Sequence, residues 1–212
     1  METPRREAAA RLRRARRGTA FTGAGMSVES GVPPFRGPGG IWNRYDPRLF
    51  EIDRFDADPD AVWRVLHEAF LRRYGRTRPN AGHAALAAME RTGALKTVVT
   101  QNIDGLHQAA GSRRVLEFHG SLRQTCCPAC GRRRPLDPAV GRDGAPRCAA
   151  CGVALKPDIV FFGEPIPEDV RREAFAAARA SDVMLVVGTR GEVMPAGLLP
   201  WEAKRSGAYV IE

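Results

Sequence analysis

The stretch TAFTGAGMSVESG, residues 19–31, joins a short apolar run to a glycine-rich turn and then to a predicted helix. Glycines between a strand and a helix let the backbone approach a phosphate group closely, and the amino end of a helix favours negative charge. Gly23, Ala24 and Gly25 are therefore candidate contacts for a phosphorylated ligand. Because a GxG turn alone is a weak signal, its meaning depends on the rest of the chain.

Three further apolar runs end in glycine or polar residues: LKTVVTQNIDG (95–105), SDVMLVVGT (181–189) and GAYVIE (207–212). The helical patterns that separate the four runs cover about residues 59–74, 80–92, 167–180 and 195–206. Strands that alternate with helices predict βαβ units and a parallel sheet, so the fold class is α/β. Ligands of such sheets bind beyond the carboxyl ends of the strands, where residues 23–27, 101–104 and 188–191 would lie.

The glycine pattern argues against a hydride-transferring dehydrogenase. The third glycine of the GxGxxG fingerprint would fall at Val28, and no acidic residue follows about 20 positions later in a clean second strand. In TQNIDGLH, residues 100–107, three polar side chains follow a buried strand, which is costly unless they are bonded. They either bind a ligand or form a satisfied loop network. His83 and His107 lie in helical patterns and are interpreted as structural.

All five cysteines lie between residues 126 and 151, and four of them form two CxxC pairs separated by 17 residues. This spacing predicts a closed zinc-ribbon site with four thiolate ligands: Cys127, Cys130, Cys148 and Cys151. An iron–sulfur site or free thiols are the alternatives, and Cys126 is interpreted as a bystander. Four thiolates leave no open position on the metal, so the zinc is structural and His119 is not needed as a ligand.

Composition and charge indicate a globular chain without a membrane segment. Of the 212 residues 43% are hydrophobic and 27% charged, which is ordinary for a soluble domain, and no run of about 18 apolar residues occurs. The start, METPRREAAARLRRARR, lacks the apolar core of a secretory signal. Together with the clustered cysteines, this predicts a cytoplasmic location.

The net charge is +9, and residues 1–17 contribute +5 of it through seven arginines and two glutamates. This segment is predicted to be a short basic helix that leads into the fold and is solvated at its surface. A zinc-ribbon protein that binds nucleic acid is an alternative that rests only on this charge. Because no recognition motif accompanies the charge, nucleic acid is not expected as a partner.

Several motifs occur together in one characteristic order. They are GAGMSVESGVPPFRG (23–37), TQNIDGLH (100–107), HG (119–120), the paired CxxC motifs, KPDIVFFGE (156–164) and VGTRGEVMPA (187–196). Through them the chain resembles the sirtuins, NAD-dependent protein-lysine deacylases, over roughly residues 18–212. The resemblance implies a Rossmann-like NAD-binding domain with a small zinc-ribbon module and a helical cofactor-loop insertion. The predicted boundaries are 1–36, 79–122 and 157–212 for the NAD-binding domain, 37–78 for the insertion and 123–156 for the module.

The resemblance also implies a role for each matching residue. His119 would be the general base that takes a proton from a ribose hydroxyl, and the ordinary histidine pKa of about 6.5 suits that task. The implied NAD contacts are Gly23, Ala24, Gly25, Ser27, Phe35, Arg36, Gln101, Asn102, Asp104, Gly188 and Thr189. The implied contacts to the acyl-lysine peptide are Ile103, Val160, Phe162, Gly163 and Glu164, of which residues 161–164 would pair with the peptide as an added strand. The implied products are deacylated lysine, nicotinamide and O-acyl-ADP-ribose.

Three features depart from the family pattern. Pro34 stands where Asp or Thr is usual, and two consecutive prolines stiffen the loop, so its closure is either impaired or preset. Arg190 replaces the serine of Gly-Thr-Ser and is expected either to pair with a phosphate or to fill the pocket. The chain also ends at Glu212, before the positions that complete the adenine site in the family, and such an ending would be expected to weaken NAD binding and stability.

The expected substrates are acetylated proteins. Desuccinylating sirtuins carry a Tyr-x-x-Arg on the helix before PNAGH, whereas Leu66 and Ala69 stand at the closest positions of this chain. An acidic acyl group would thus lack its partner, and acetyl is the expected group. The alternatives are a protein mono-ADP-ribosyltransferase and a weakly active module that binds acyl-lysine or ADP-ribose.

Overall fold

The computed structural model of the protein describes residues 2–73 and 76–212. Its strands are β1 (Gly18–Thr22), β2 (Leu95–Thr100), β3 (Val115–Glu117), β4 (Gly120–Cys126), β5 (Arg133–Pro135), β6 (Lys156–Ile159), β7 (Val183–Val187) and β8 (Tyr209–Ile211). Its α-helices are α1 (Glu2–Arg14), α2 (Ile52–Ala57), α3 (Pro59–Leu66), α4 (Ala81–Arg91), α5 (Leu106–Ala109), α6 (Glu168–Ala180) and α7 (Leu199–Arg205).

The main sheet has five parallel strands in the order β3-β2-β1-β7-β8. This confirms the predicted α/β class. Strand β1 lies at the centre and is fully buried, and its side chains alternate between two apolar layers. Ala20 packs with Leu86 of α4 on one face, whereas Phe21 packs with Ala174 of α6 and Leu199 of α7 on the other. The order changes direction at β1, so a crevice forms where β1 and β7 end.

Two predicted helices differ from the expectation. The residues after the glycine turn form a 3-10 helix, Ala24–Ser30, which ends at Gly31 with a φ of 84°. Pro33 and Pro34 follow at once and cannot continue a helix, because they lack the amide hydrogen. The helix expected over 59–74 is α-helical only to Leu66 and then widens into a π turn, His67–Leu71, in which the Arg72 amide donates to the His67 carbonyl at 2.9 Å.

The insertion predicted at 37–78 contributes most of a second apolar core. Trp63, Phe50 and Phe55 pack there against Leu122 and Phe161, which come from outside the insertion. The Trp63 indole nitrogen also donates to the Leu155 carbonyl at 2.7 Å, next to the cysteine module. The insertion is therefore held against β4, the segment after β6 and the cysteine module, and the domain boundaries remain a prediction.

The cysteine segment is built on a small antiparallel sheet in the order β5-β4-β6. Strand β4 begins directly after His119, so the small sheet continues from the carboxyl end of β3. In the parts of the chain that the structure describes, no helix combines the length and apolarity needed to cross a membrane.

Candidate active site

A cavity of about 1200 Å³ opens at the carboxyl end of the parallel sheet. Since ligand pockets commonly enclose about 300–1,000 Å³, it has room for a dinucleotide together with part of a peptide. The predicted site residues that line it are Gly23, Ala24, Gly25, Phe35, Arg36, Gln101, Asn102, Ile103, His119, Val160, Phe162, Gly163, Glu164, Gly188 and Thr189. The remaining two, Ser27 and Asp104, line a side cavity of about 40 Å³ that Ala24, Phe35, Asn102 and Ile103 also border.

The turns after β1 and β7 pack directly against each other. A Cβ atom on Gly25 would lie 2.8 Å from the Gly188 Cα, and one on Gly188 would lie 2.2 Å from the Met26 nitrogen. The amides of Gly23 and Gly25 donate to the carbonyls of Val187 and Gly188 at 3.0 and 2.9 Å. These two amides, which the sequence suggested for a phosphate, are therefore engaged with the β7 turn, and the glycines permit its close approach.

The polar end of β2 forms a bonded network with the glycine turn. The Asn102 amide donates to the Gly23 carbonyl at 3.0 Å and to the Ser27 hydroxyl at 3.1 Å. Ser27 is fully buried and donates to Asp104 at 2.6 Å, while the other Asp104 oxygen accepts from the Leu106 amide at 2.9 Å. These side chains satisfy one another, as the loop-network interpretation expects, and because they also border the cavities, the ligand-binding interpretation stays a prediction.

His119 lies between β3 and β4 and is held on both sides. Its Nδ1 lies 3.3 Å from the Gln101 carbonyl, and its own carbonyl accepts from the Val160 amide at 2.9 Å. A carbonyl only accepts hydrogen bonds, so the neutral ring carries its hydrogen on Nδ1 and can accept a proton at Nε2. Gln101 is fixed in turn by a 2.8 Å bond from its side-chain amide to the Thr189 hydroxyl.

Burial lowers the pKa of His119 below its ordinary value, and the bond to the Gln101 carbonyl opposes this only in part. The ring is consequently uncharged at neutral pH. An uncharged imidazole beside a ligand cavity can act as a general base.

The segment that carries Phe35 is closed on itself. The Pro34 carbonyl accepts from the Ile41 amide at 2.9 Å, and the Phe35 carbonyl accepts from the Trp42 amide at 3.0 Å. The Phe35 ring lies with its centroid 5.2 Å from that of Trp42 and 6.0 Å from that of Phe70. These contacts favour the interpretation that the proline pair presets the loop.

Glu192, which the sequence interpretation missed, lies on the cavity wall between two arginines. Its carboxylate forms an ion pair with Arg36 and a second one with the Arg190 Nε at 3.1 Å. The sequence did not indicate that Glu192 pairs with Arg36, because the two residues are far apart along the chain.

The segment after β6 is already paired at Phe162. Its amide donates to the Phe50 carbonyl at 2.8 Å, and its carbonyl accepts from the Ile52 amide at 2.9 Å. Within the described residues, the main-chain groups of Gly163 have no backbone partner. An added peptide strand would therefore meet Gly163 rather than Phe162.

A partly buried ion pair supports this segment. Glu164 lies 3.0 Å from the Lys156 Nζ and accepts from the Phe161 amide at 2.8 Å. Lys156 also donates to the Ile159 carbonyl at 2.6 Å. Lys156 was quoted in the motif but given no role by the sequence, and the structure shows that it ties both ends of the segment together.

The four predicted cysteine ligands converge. Their sulfur atoms all lie within 4.8 Å of one another, and Cys130 and Cys148 are 3.9 Å apart. A tetrahedral zinc with Zn–S bonds of about 2.3 Å needs sulfurs about 3.8 Å apart, so the cluster fits one structural zinc ion. The amides of Ala150 and Cys151 lower the pKa of the Cys148 thiol to about 6, which favours the thiolate that a metal needs.

Comparison with known proteins gives a consistent result. The model of the Sir2 family matches residues 23–195. NAD-dependent protein deacetylase 1 of Pyrobaculum aerophilum is 47% identical over 207 residues, which cover 97% of this chain and 81% of the relative. The NAD-dependent protein deacetylase of Chromobacterium violaceum is 49% identical over 198 residues, which cover 91% of this chain and 79% of the relative.

Two solved structures resemble the fold closely. A Sir2 homolog in complex with NAD superposes with a TM-score of 0.91 at 39% identity, over 98% of this chain and 81% of that chain. A Sir2 structure with a deacetylated p53 peptide and 3'-O-acetyl ADP ribose gives a TM-score of 0.92 at 36% identity, over 97% of this chain and 84% of that chain.

Proposed function

The chain belongs to the Sir2 family, and from that premise we propose that it is an NAD-dependent protein-lysine deacetylase in which His119 is the general base. The observation that carries the proposal is the state of His119. Its ring is neutral, its Nδ1 is held by the Gln101 carbonyl, and it borders the same cavity as the glycine turns and the segment after β6.

The cavity residues fit the NAD molecule chemically. Its pyrophosphate is negatively charged, and the guanidinium groups of Arg36 and Arg190 both border the cavity. The apolar side chains of Phe35 and Ile103 lie where the main cavity meets the side cavity. When bound, NAD supplies a ribose carbon that accepts the acetyl oxygen and nicotinamide as the leaving group.

The residues of the chain then divide the remaining tasks. Val160 and Phe162 flank the acetyl-lysine, and Gly163 offers main-chain bonds to the peptide. His119 takes the proton of a ribose hydroxyl at Nε2. The Phe35 loop, which lines the cavity, excludes bulk water while nicotinamide leaves. Overall, acetyl-lysine, NAD and one water molecule give lysine, nicotinamide and O-acetyl-ADP-ribose.

The test is the release of nicotinamide from NAD with and without an acetyl-lysine peptide. We expect release that requires the peptide, and we expect His119→Ala to reduce deacetylation by about 10²–10⁴-fold while calorimetric NAD binding changes little. His67→Ala is the matched control, because His67 lies outside both cavities and should leave turnover unchanged.

The other outcomes are equally informative. Label from NAD that stays on the protein would indicate ADP-ribosylation, and no release would indicate a binding module. Full turnover of the His119→Ala protein would remove His119 as the base.

The acyl group is proposed to be acetyl. Leu66 and Ala69 are buried and apolar, so they offer no charge to an acidic acyl group. We expect a higher kcat/KM for an acetyl-lysine peptide than for the matching succinyl-lysine peptide. Arg73 borders the side cavity and is the nearest candidate partner for an acidic acyl group. A higher kcat/KM for the succinyl-lysine peptide than for the acetyl-lysine peptide, lost in Arg73→Met, would contradict this assignment.

A further inference from the structure

Exposed basic residues lead into every strand of the parallel sheet. They lie in the last helical turn or the link before each strand, or at its start, and thus share the amino end of the sheet, opposite the active-site cavity. We call them the basic face: Arg13, Arg14, Arg16 and Arg17 before β1, Arg91 and Lys96 at β2, Arg113 and Arg114 before β3, Arg179 before β7, and Lys204 and Arg205 before β8.

The carboxylates at this end are few and already engaged. Asp182 accepts from the backbone amides of Arg16 and Arg17, the first at 2.7 Å. Glu90 accepts in the same way from the amides of Arg113 and Arg114, at 2.7 and 2.9 Å. These bonds are made to the main chain, so they do not pair the carboxylates with the guanidinium groups of Arg16, Arg17 and Arg113.

Two further carboxylates, those of Glu202 and Glu173, neutralise only some of the other positive charges of the basic face. Glu202 pairs with Arg205 at 2.9 Å and Arg179 at 3.8 Å, and Glu173 pairs with Arg114 at 3.5 Å. The basic face therefore sets eleven positive groups against four carboxylates. The sequence places part of the basic excess in residues 1–17, and the fold joins the end of that segment to basic residues along one whole end of the sheet.

The width of the basic face matches a regular polyanion. Five strands about 4.8 Å apart span roughly 19 Å. Double-stranded DNA carries one negative charge per about 1.7 Å of its axis, so roughly 19 Å of duplex holds about eleven phosphates, and those on the side of the duplex that faces the protein are within reach. Nine of the eleven basic residues are arginine, whose planar guanidinium bonds to phosphate with two parallel N–H groups.

We propose that the basic face binds double-stranded nucleic acid through its phosphates, without reading its sequence. A membrane surface fits less well at α1, because a helix that lies in a membrane interface presents Trp, Phe and Leu beside its charges. Three of the six uncharged residues of α1 are alanine, and Leu12 is its one large aliphatic side chain. In α7 the exposed Trp201 lies one turn from Arg205, so binding to vesicles is measured beside binding to the duplex. Because the cavity lies at the other end of the sheet, a bound duplex would leave it open to a peptide.

The experiment measures binding of the full-length, zinc-loaded protein to a fluorescent DNA duplex of about 20 base pairs, by anisotropy, between about 50 and 200 mM salt. One variant removes four charges of the basic face: Arg13→Ala, Arg14→Ala, Arg16→Ala and Arg17→Ala. We expect its affinity at low salt to fall at least tenfold, and its plot of log affinity against log salt to become less steep by about four. Duplexes of unrelated sequence should bind alike.

Two further variants separate charge from position and from folding. A control removes four exposed arginines elsewhere: Arg48→Ala, Arg64→Ala, Arg132→Ala and Arg134→Ala. It should bind the duplex much better than the first variant, and lysine at positions 13, 14, 16 and 17 should restore most of the affinity. Deacetylation of a short peptide should be equal in all of these proteins, so a failure of duplex binding is distinguishable from a failure of the proposed activity.

Three results would overturn the proposal. The first is no binding by the unaltered protein at low salt. The second is an equal loss in the control, which would show that net charge alone is responsible. The third is binding to phosphatidylserine vesicles but not to the duplex, which would assign the basic face to membranes.

Discussion

The protonation state of His119 depends on one hydrogen bond and on burial. The Gln101 carbonyl holds the hydrogen on Nδ1, and burial disfavours a second proton on the ring. Gln101 is itself bound to Thr189 at the end of β7. His119 is thus oriented by residues from two other strand ends, which explains how a histidine in a short link can hold one direction.

The pH profile of the enzyme should reflect this environment. His119, as the proposed base, works when neutral, so activity should fall as the pH decreases through its pKa. Because burial lowers that pKa from 6.5, the acid limb of kcat/KM should have its midpoint below pH 6.5. Rates measured from pH 5 to 8 test this, and a midpoint at or above pH 7 would contradict the assignment.

Glu192 is the residue that most clearly sets this cavity apart from a purely basic pyrophosphate site. It pairs with Arg36 and Arg190, which both border the cavity. All three side chains are substantially exposed, so each pair contributes little to stability. In the proposed NAD site their effect is on ligand binding, because the carboxylate would compete with a phosphate of NAD for the same guanidinium groups.

Removing that competitor should strengthen NAD binding. We expect Glu192→Gln to lower the KM for NAD by about two- to fivefold and Arg190→Ser to raise it, as exposed ion pairs are worth about 0.2–1 kcal/mol. Both effects should shrink at about 1 M salt, where the screening length is about 3 Å. A raised KM in Glu192→Gln would mean that the pair with Arg36 holds the loop instead.

At the scale of elements, two histidines join helices α4 and α5 to strand β1. His83 and His107 are buried with ring centroids 4.8 Å apart, as their structural interpretation from the sequence implied. The Thr22 hydroxyl donates to Thr100 at 2.9 Å, so the His107 Nε2–H donates to Thr22 at 2.9 Å. The Nδ1 of His107 has no partner among the described residues, so an added proton there would be buried and unpaired.

This contact should make folding stability depend on pH. Burial, with a smaller effect from His83, lowers the pKa of His107 to about 4. Between about pH 6.5 and pH 4 the unfolded chain therefore binds a proton at His107, whereas the folded chain does not. As the pH is lowered through this window, the free energy of unfolding should decrease by about 3 kcal/mol.

Denaturant unfolding of His107→Gln measures that slope. The variant should lose less stability than the parent between pH 6.5 and 4, whatever its absolute stability at neutral pH. His67→Gln, at a half-exposed site, should retain the parental slope. Parallel curves for His107→Gln and the parent would show that His107 titrates normally.

On the scale of the whole molecule, the parallel sheet separates two chemically different ends. The carboxyl end carries the cavity and His119, and the amino end carries the basic face. Strand β1 has five residues, so the two ends lie about 17 Å apart. A rigid sheet between them allows both surfaces to be occupied at once.

Much of this organisation was predictable. The strands around Ala20, Val98 and Met184 and the helices between them follow from apolar periodicity. The strands β3 to β6 were missed, because they are short and carry little periodicity. The 3-10 helix at Ala24–Ser30 and the π turn after Leu66 were also missed, since they depend on hydrogen bonds that a repeat pattern does not specify.

By itself the sequence determined the α/β order, the four zinc thiolates and the histidine beside Gly120, because periodicity and short spacings are local properties of a chain. Only the tertiary structure decided the Nδ1 hydrogen of His119, the position of Glu192 between its two arginines, and the union of scattered arginines into one basic face. Each of these depends on which distant segments meet. That is set by the packing of strands and helices into one sheet, where residues remote in sequence come within bonding distance.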